Sequence, residues 1–260
     1  MWKVLTGLLA EQLSYYTEKF QLLPDHHFRG HPRQTTTDTM HLLIYRIKDT
    51  WCKGKVVSVL FLDIEGAFPN AVVEKLVHNM RKCKVPTKII NFTEKMLANR
   101  ATRLRFDDYK SNEILIGNGI GQGDPLSMGL YQFYNADLLD IPADTNELTV
   151  TFIDDALMGA IANTFKEMHK TLAGMMSRDN SVTAWSKDHN SPLKYSKLAL
   201  IDFAYQNHHA HQPDLMLPHG MVKLAWSTKY LGFIIDQHLS WTQQHVYVIN
   251  KGTKWISQIR

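Results

Sequence analysis

The chain has 260 residues, enough for one large domain or two small ones with a sizeable core. Hydrophobic residues make up 44% and charged residues 21%, a composition that excludes a disordered or low-complexity protein. The formal charge of +4 is compatible with a polyanionic partner without requiring one, and two cysteines exclude a disulfide framework and fit a reducing, intracellular setting.

In residues 3–20, Val4, Leu5, Leu8, Leu9, Leu13, Tyr16 and Phe20 recur at helical spacing and predict an amphipathic helix stopped ahead of Pro24. That periodicity, with no small-residue cleavage pattern, argues against a signal peptide. No apolar run approaches the roughly 20 residues needed to span a bilayer. A polar, basic loop ("HHFRGHPRQTTT", 26–37) leads to a second helix over 38–52, with Asp38 as its cap and Met40, Leu43, Ile44 and Ile47 inward.

Residues 56–62 are continuously β-branched or apolar and predict a central strand covered on both faces, ending at Asp63. Helices are expected at 70–83 and 87–99. "ATRLRF" and "NEILI" flank "DDYKS" and predict a hairpin with Arg103 and Arg105 on one face. The glycine-rich "GNGIGQGDPLS" (117–127) opens a helix over 125–137, since Pro125 suits a first turn. "LTVTFID" and "ALMGAIA" form two strands meeting at Asp154 and Asp155. A helix over 164–178 and strands at 197–203, 221–226 and 229–236 complete the chain. The order predicts an α+β fold, an antiparallel sheet backed by helices. Without regular β–α alternation, the glycine loop does not read as a dinucleotide site.

Charge is uneven. Residues 71–110 hold ten Lys or Arg against four acids, so this segment alone is +6. It reads either as solvated helix faces or as a surface facing phosphates. "HHAHQP" (208–213) reads as a polar loop, and Trp185, Trp226, Trp241 and Trp255 as packing residues, an aromatic near the C-terminal end also being able to stack on a base.

Asp63 closes a buried strand, and Asp154 and Asp155 sit at a hairpin tip 91 residues further on (154 − 63). If the strands are neighbours, three carboxylates converge, and their charged forms persist only with a strong countercharge. Oxygen ligands without His or Cys point to Mg²⁺ or Mn²⁺ rather than zinc. Two such ions bridged by carboxylates are the usual device for in-line phosphoryl transfer. Taken alone, the Asp pair reads first as a hairpin turn, where Asp is a common residue.

"LDIEGAF", "GIGQGDPLS" and "FIDD", in that order, together resemble the palm motifs of reverse transcriptases. Upstream, "LLPDHHFRGHPRQTTTD" is similar to the fingers–palm connection of eukaryotic non-LTR (LINE-type) retrotransposons. Downstream, "KYLGFIIDQHLSW" resembles the hairpin that grips the primer end and the start of the thumb. The resemblance implies a polymerase palm with partial, mostly helical fingers. Residues 1–54 would be partial fingers and the connection, 55–240 the palm with a fingers-like insertion around 71–116, and 241–260 the start of the thumb. Family members usually carry a longer fingers region and a complete thumb, so the chain matches a domain truncated at both ends.

The same resemblance implies roles. Asp63 and Asp154 would hold two Mg²⁺ ions (Mn²⁺ being possible), Asp155 would contribute to the one that activates the primer hydroxyl, and the Ile64 carbonyl would complete a ligand set. The amides of Gly66 and Ala67 would approach the triphosphate, Phe68 would lie under the sugar, and Gln122 and Gly123 would pack on the incoming nucleotide. Lys197 matches a lysine that can protonate pyrophosphate, and Tyr230, Leu231 and Gly232 would support the primer end. Each also has an ordinary reading: core packing for Phe68, a solvated lysine for Lys197, a plain strand for Tyr230. Glu65 and Asp124 vary from common family residues, as do His31 and Gln34 upstream. The implied function is RNA-directed DNA polymerisation on an RNA template and DNA primer with deoxynucleoside triphosphates, in the nucleus and away from membranes. A catalytically inert relic that keeps the fold, and another palm-type phosphotransferase such as a nucleotide cyclase, are the alternatives. The cyclase gives "GIGQGDPLS" no role.

Overall fold

A computed structural model describes residues 2–24, 27–28, 34–205 and 214–259. The expected polar loop at 208–213 and most of the 25–33 connection lie outside the described residues. The chain begins with helix α1 (Trp2–Phe20), a short strand β1 (His27–Phe28) and helix α2 (Thr36–Cys52). Helix α2 starts earlier than its sequence suggests. Thr35 is the cap, and Asp38, three residues in, accepts from the Thr35 N–H at 2.7 Å and its hydroxyl at 2.8 Å. These bonds hold the Asp38 carboxyl below the usual range.

Strand β2 (Val56–Asp63) follows, then helices α3 (Ala67–Asn70), α4 (Val73–Lys82) and α5 (Thr87–Leu97). The helix expected at 70–83 is broken after Asn70, where Ala71 leaves helical geometry at ψ 122°. The hairpin at 100–116 consists of two short ladders in series. In the first, β3 (Arg100–Thr102) pairs with β6 (Ile114–Ile116); in the second, β4 (Arg105–Phe106) pairs with β5 (Tyr109–Lys110). Helix α6 (Pro125–Tyr134) runs into a 3₁₀ turn (Ala136–Asp140), so the helix expected to 137 ends a turn early. Strands β7 (Glu147–Phe152) and β8 (Asp155–Ala162) form a hairpin, followed by helix α7 (Phe165–Ser177). A seven-residue helix α8 (Val182–Asp188) precedes strand β9 (Ala199–Phe203). Strands β10 (Leu215–Leu217) and β11 (Gly220–Val222) pair, as do β12 (Ser227–Tyr230) and β13 (Phe233–Asp236), and helix α9 (Thr242–Ile259) closes the chain. The strand expected at 229–236 is thus a hairpin, and the one at 221–226 stops at Val222.

The main sheet has the order β1-β7-β8-β2-β9, with β1 parallel to β7 and the remaining pairs antiparallel. Strand β2 lies next to the centre and is buried from Val56 to Leu62. Alternation divides its side chains between two cores. Val56, Leu60 and Leu62 pack with α1, α4, α6 and α7, whereas Val57, Val59 and Phe61 pack with Met40, Leu43 and Ile47 of α2. The one polar break, Ser58, donates to Asp202 at 2.5 Å, and Asp202 lies 3.0 Å from His169. Burial on both faces is why this strand reads as an unbroken apolar run. Trp185 is buried, but Trp226 and Trp255 are exposed. The first of these follows a strand that has already ended, and the second sits in the C-terminal half of α9, where residues 251–258 are all exposed.

Candidate active site

Strand register brings the acids together. Asp63, the last residue of β2, lies directly opposite Asp155, the first residue of β8, so both side chains emerge on the same face. On the other side of β8, Phe152 pairs with Asp155 and leaves Ile153 and Asp154 as a two-residue turn. Ile153 takes φ +59°, a conformation that β-branched residues rarely adopt. Its carbonyl accepts a 2.6 Å hydrogen bond from the buried Asn135 amide. The turn is therefore held in place from below rather than by its own preference.

The electrostatics follow from this geometry. Asp155 keeps access to solvent, yet partial burial pushes its carboxyl up to about 6, with the charges of Asp154 and then Asp63 adding to the effect. Lys197, at the end of a 3₁₀ turn (Tyr195–Lys197), places Nζ 3.4 Å from Asp63 Oδ2. Its positive charge is paired with Asp63. Among the described residues no three His, Cys, Asp or Glu side chains already stand as a closed ligand cluster. The donor set still fits a hard divalent cation: oxygen ligands only, and mutual repulsion that a countercharge would relieve.

The backbone beside Asp63 is fixed by the segment ahead of β9. The Asp63 carbonyl accepts from Lys194 N–H at 2.9 Å, and Glu65 N–H donates to Pro192 at 2.8 Å. These bonds flank Ile64 and leave its carbonyl out of the bridge with Leu193. Gly66 (φ +60°) and Ala67 then open α3; a Cβ at Gly66 would meet Asn70 Nδ2 at 2.7 Å. Phe68 is half-buried and stacks on Tyr131 of α6, with ring centroids 4.8 Å apart. Tyr131 is fully buried, its hydroxyl finds no hydrogen-bond partner among the described residues, and burial followed by the charge of Asp154 raises its pKa.

The glycine loop is stitched to this turn. Gly119 N–H donates to Ala71 at 2.7 Å and Ile120 N–H to Phe68 at 2.8 Å. Gly119 (φ +93°) permits the approach, because a Cβ there would stand 2.6 Å from the Pro69 carbonyl. Asp124 caps α6 by accepting from Leu126 N–H at 2.9 Å, and the Ser127 hydroxyl donates to Gly121. Gln122 and Gly123 between them are exposed. On the opposite face, Tyr230 is buried 5.1 Å from the Phe61 ring, and burial followed by the charge of Asp155 raises its hydroxyl's pKa. Leu231 (φ +49°) and Gly232 (φ +87°) form the turn beyond it. Tyr131, on which Phe68 sits, is thus close enough to feel the charge of Asp154, and Tyr230 that of Asp155.

Other expectations change. Of the ten cations in 71–110, Lys75, Arg81, Lys82 and Arg103 are ion-paired with Asp188, Glu94, Asp140 and Glu113. Arg100 donates to the carbonyls of Leu97, Asn118 and Gly119. Half of that positive segment is thus committed within the molecule. Tyr131 and Asn135 carry no motif that marks them, and only long-range contacts show what they support.

A family model described as "Reverse transcriptase (RNA-dependent DNA polymerase)" matches residues 2–235. The chain is similar to "Probable RNA-directed DNA polymerase from transposon BS" of Drosophila melanogaster, with 21% identity over 98% of this chain and 29% of that protein. It is also similar to "Retrovirus-related Pol polyprotein from type-1 retrotransposable element R2" of Nasonia vitripennis, with 25% identity over 76% of this chain and 20% of that protein. The chain therefore spans less than a third of the length of these relatives. Telomerase from Candida tropicalis, solved in complex with a TWJ fragment of telomeric RNA, shares the fold. Its TM-score is 0.60 at 12% identity, covering 90% of this chain and 37% of that one.

Proposed function

Because this chain belongs to the reverse transcriptase (RNA-dependent DNA polymerase) family, we propose that it adds deoxynucleotides to a primer 3′-hydroxyl as directed by an RNA template. The observation that carries this reading is the register that sets Asp63 opposite Asp155, with Asp154 in the adjoining turn. In this reading Asp63, Asp154, Asp155 and the Ile64 carbonyl hold two Mg²⁺ ions, Mn²⁺ being able to replace them. Such ions, when bound, lower the pKa of the attacking hydroxyl and neutralise charge on the leaving pyrophosphate.

The chain's own residues do the rest. Lys197, exposed and beside Asp63, stands ready to give a proton to the pyrophosphate oxygen as the bond to the α-phosphorus breaks. Phe68, seated on Tyr131, forms the floor that excludes a ribose 2′-hydroxyl. Gly66 and Ala67 turn amides toward the phosphates, and Gln122 and Gly123 close over the base. Tyr230, Leu231 and Gly232 brace the primer terminus. The domain plan of this reading is fingers and connection over 1–54, palm over 55–240 with its insertion near 71–116, and thumb from 241. Among the described residues no helix is long and apolar enough to cross a membrane. Action in the nucleus belongs to the same reading.

Primer extension on an RNA template with Mg²⁺, comparing the parent chain with Asp154→Asn, tests it. Loss of extension in the variant supports the assignment, and undiminished extension sinks it. An inert relic predicts no extension by either form.

A further inference from the structure

Asn135 follows the last turn of α6, is fully buried, and spans two elements with one amide group. Its Nδ2 donates to the Ile153 carbonyl at 2.6 Å, and its Oδ1 lies 2.8 Å from His27 Nε2. His27 is also fully buried, on β1, whose two residues pair in parallel with Thr151 and Phe152. The Ile153 carbonyl can only accept, which turns Asn135 Nδ2 toward it and Oδ1 toward His27. Burial lowers the pKa of the imidazole, and Nε2–H of the neutral ring is then the donor to Asn135. Ile153, so gripped, carries a β-branched side chain at φ +59°, a strained turn conformation, immediately before Asp154.

We infer that Asn135, oriented by His27, is the positioning residue that holds the strained turn on which Asp154 sits. The seating of β1 against β7 then sets where the acid pair stands. The segment between α1 and α2 is thereby coupled to the catalytic turn by side chains as well as by backbone pairing. The catalytic consequence rests on the polymerase reading, whereas the clamp itself does not.

Amide hydrogen exchange on the whole chain tests the clamp, and steady-state primer extension tests its consequence. Asn135→Asp keeps the shape but removes the donor. It is expected to speed exchange at residues 154–156 about tenfold relative to Leu60, and to lower kcat with little change in KM for the nucleotide. In an Ile153→Gly background, where the turn is no longer strained, the same substitution should change exchange less than about twofold. His27→Gln keeps an N–H donor and should preserve the parent pattern, whereas His27→Leu should reproduce Asn135→Asp. The His27 pair also decides the matter if Asn135 variants fold poorly. Equal acceleration throughout the core, or equal effects in both backgrounds, would overturn the inference. A parent chain that extends no primer while showing the expected exchange pattern leaves the clamp standing and removes the polymerase reading. Normal extension with unchanged exchange does the reverse.

Discussion

Two hairpin turns in this chain carry adjacent aspartates. In one, Phe106 pairs with Tyr109 around Asp107 and Asp108; in the other, Phe152 pairs with Asp155 around Ile153 and Asp154. The first caps a ladder of two residue pairs whose residues are exposed throughout, and its positive φ falls on Asp107, a residue type that tolerates it. The second ends two buried strands, puts its positive φ on an isoleucine, and has Asp63 across the ladder. The acids are alike. What distinguishes the second pair is the strand laid opposite it and the buried amide beneath it. An acid pair at a turn becomes a site through what the rest of the fold brings to it.

The comparison breaks if both pairs behave alike on substitution. Asp63→Asn should reduce extension at least about a hundredfold, whereas Asp108→Asn should leave it within about twofold, measured as initial rates on one primer–template. A smaller effect is expected at Phe68, whose replacement by Val should raise the ratio of ribonucleotide to deoxynucleotide incorporation by about tenfold. Tyr131→Ala, which removes the seat beneath Phe68, should move the ratio the same way. An unchanged ratio in both variants would leave Phe68 as a packing residue only.

The acid pairs should also differ in stability against pH. Asp155 titrates higher in the folded chain, about 6, than a carboxyl of the unfolded chain does, roughly 3.9. The folded state therefore favours the protonated acid, and stability falls as pH rises through the window from about 4 to about 6. In divalent-free buffer, Asp155→Asn should remove part of that fall and raise Tm at neutral pH. A matching gain from Asp107→Asn would show that crowding of the acids is not the cause. The smallest effect concerns the basic segment. Neutralising Lys88 and Lys95 together should lower the salt-dependence slope of primer–template affinity by about one unit for each phosphate that either lysine faces. A flat response would mark residues 71–110 as a solvated face.

Much of this is legible in the sequence, for identifiable reasons. Strand β2 declares itself because burial on both faces leaves no polar alternation, and its acid end follows from the same pattern. The three motifs in series locate Asp63, the glycine loop and the Asp pair. Helix α8 escapes because seven residues with Val182 and Trp185 inward give too little periodicity to register. Asp38 passes for a cap because an acid three residues into a helix closes the same hydrogen-bonded box. Asn135 and His27 are 108 residues apart, and no local pattern announces a bond between them. The exposed Trp226 and Trp255 show the limit of composition, since a large apolar residue packs only where an element is laid over it.

The central claim is that position, rather than residue type, makes Asp154 a functional acid. Single-nucleotide extension on an RNA template with Mg²⁺ puts Asp154→Asn and Asp107→Asn side by side at equal protein concentration. Extension lost in the first and retained in the second is the predicted result. Equal extension by the two variants would contradict it.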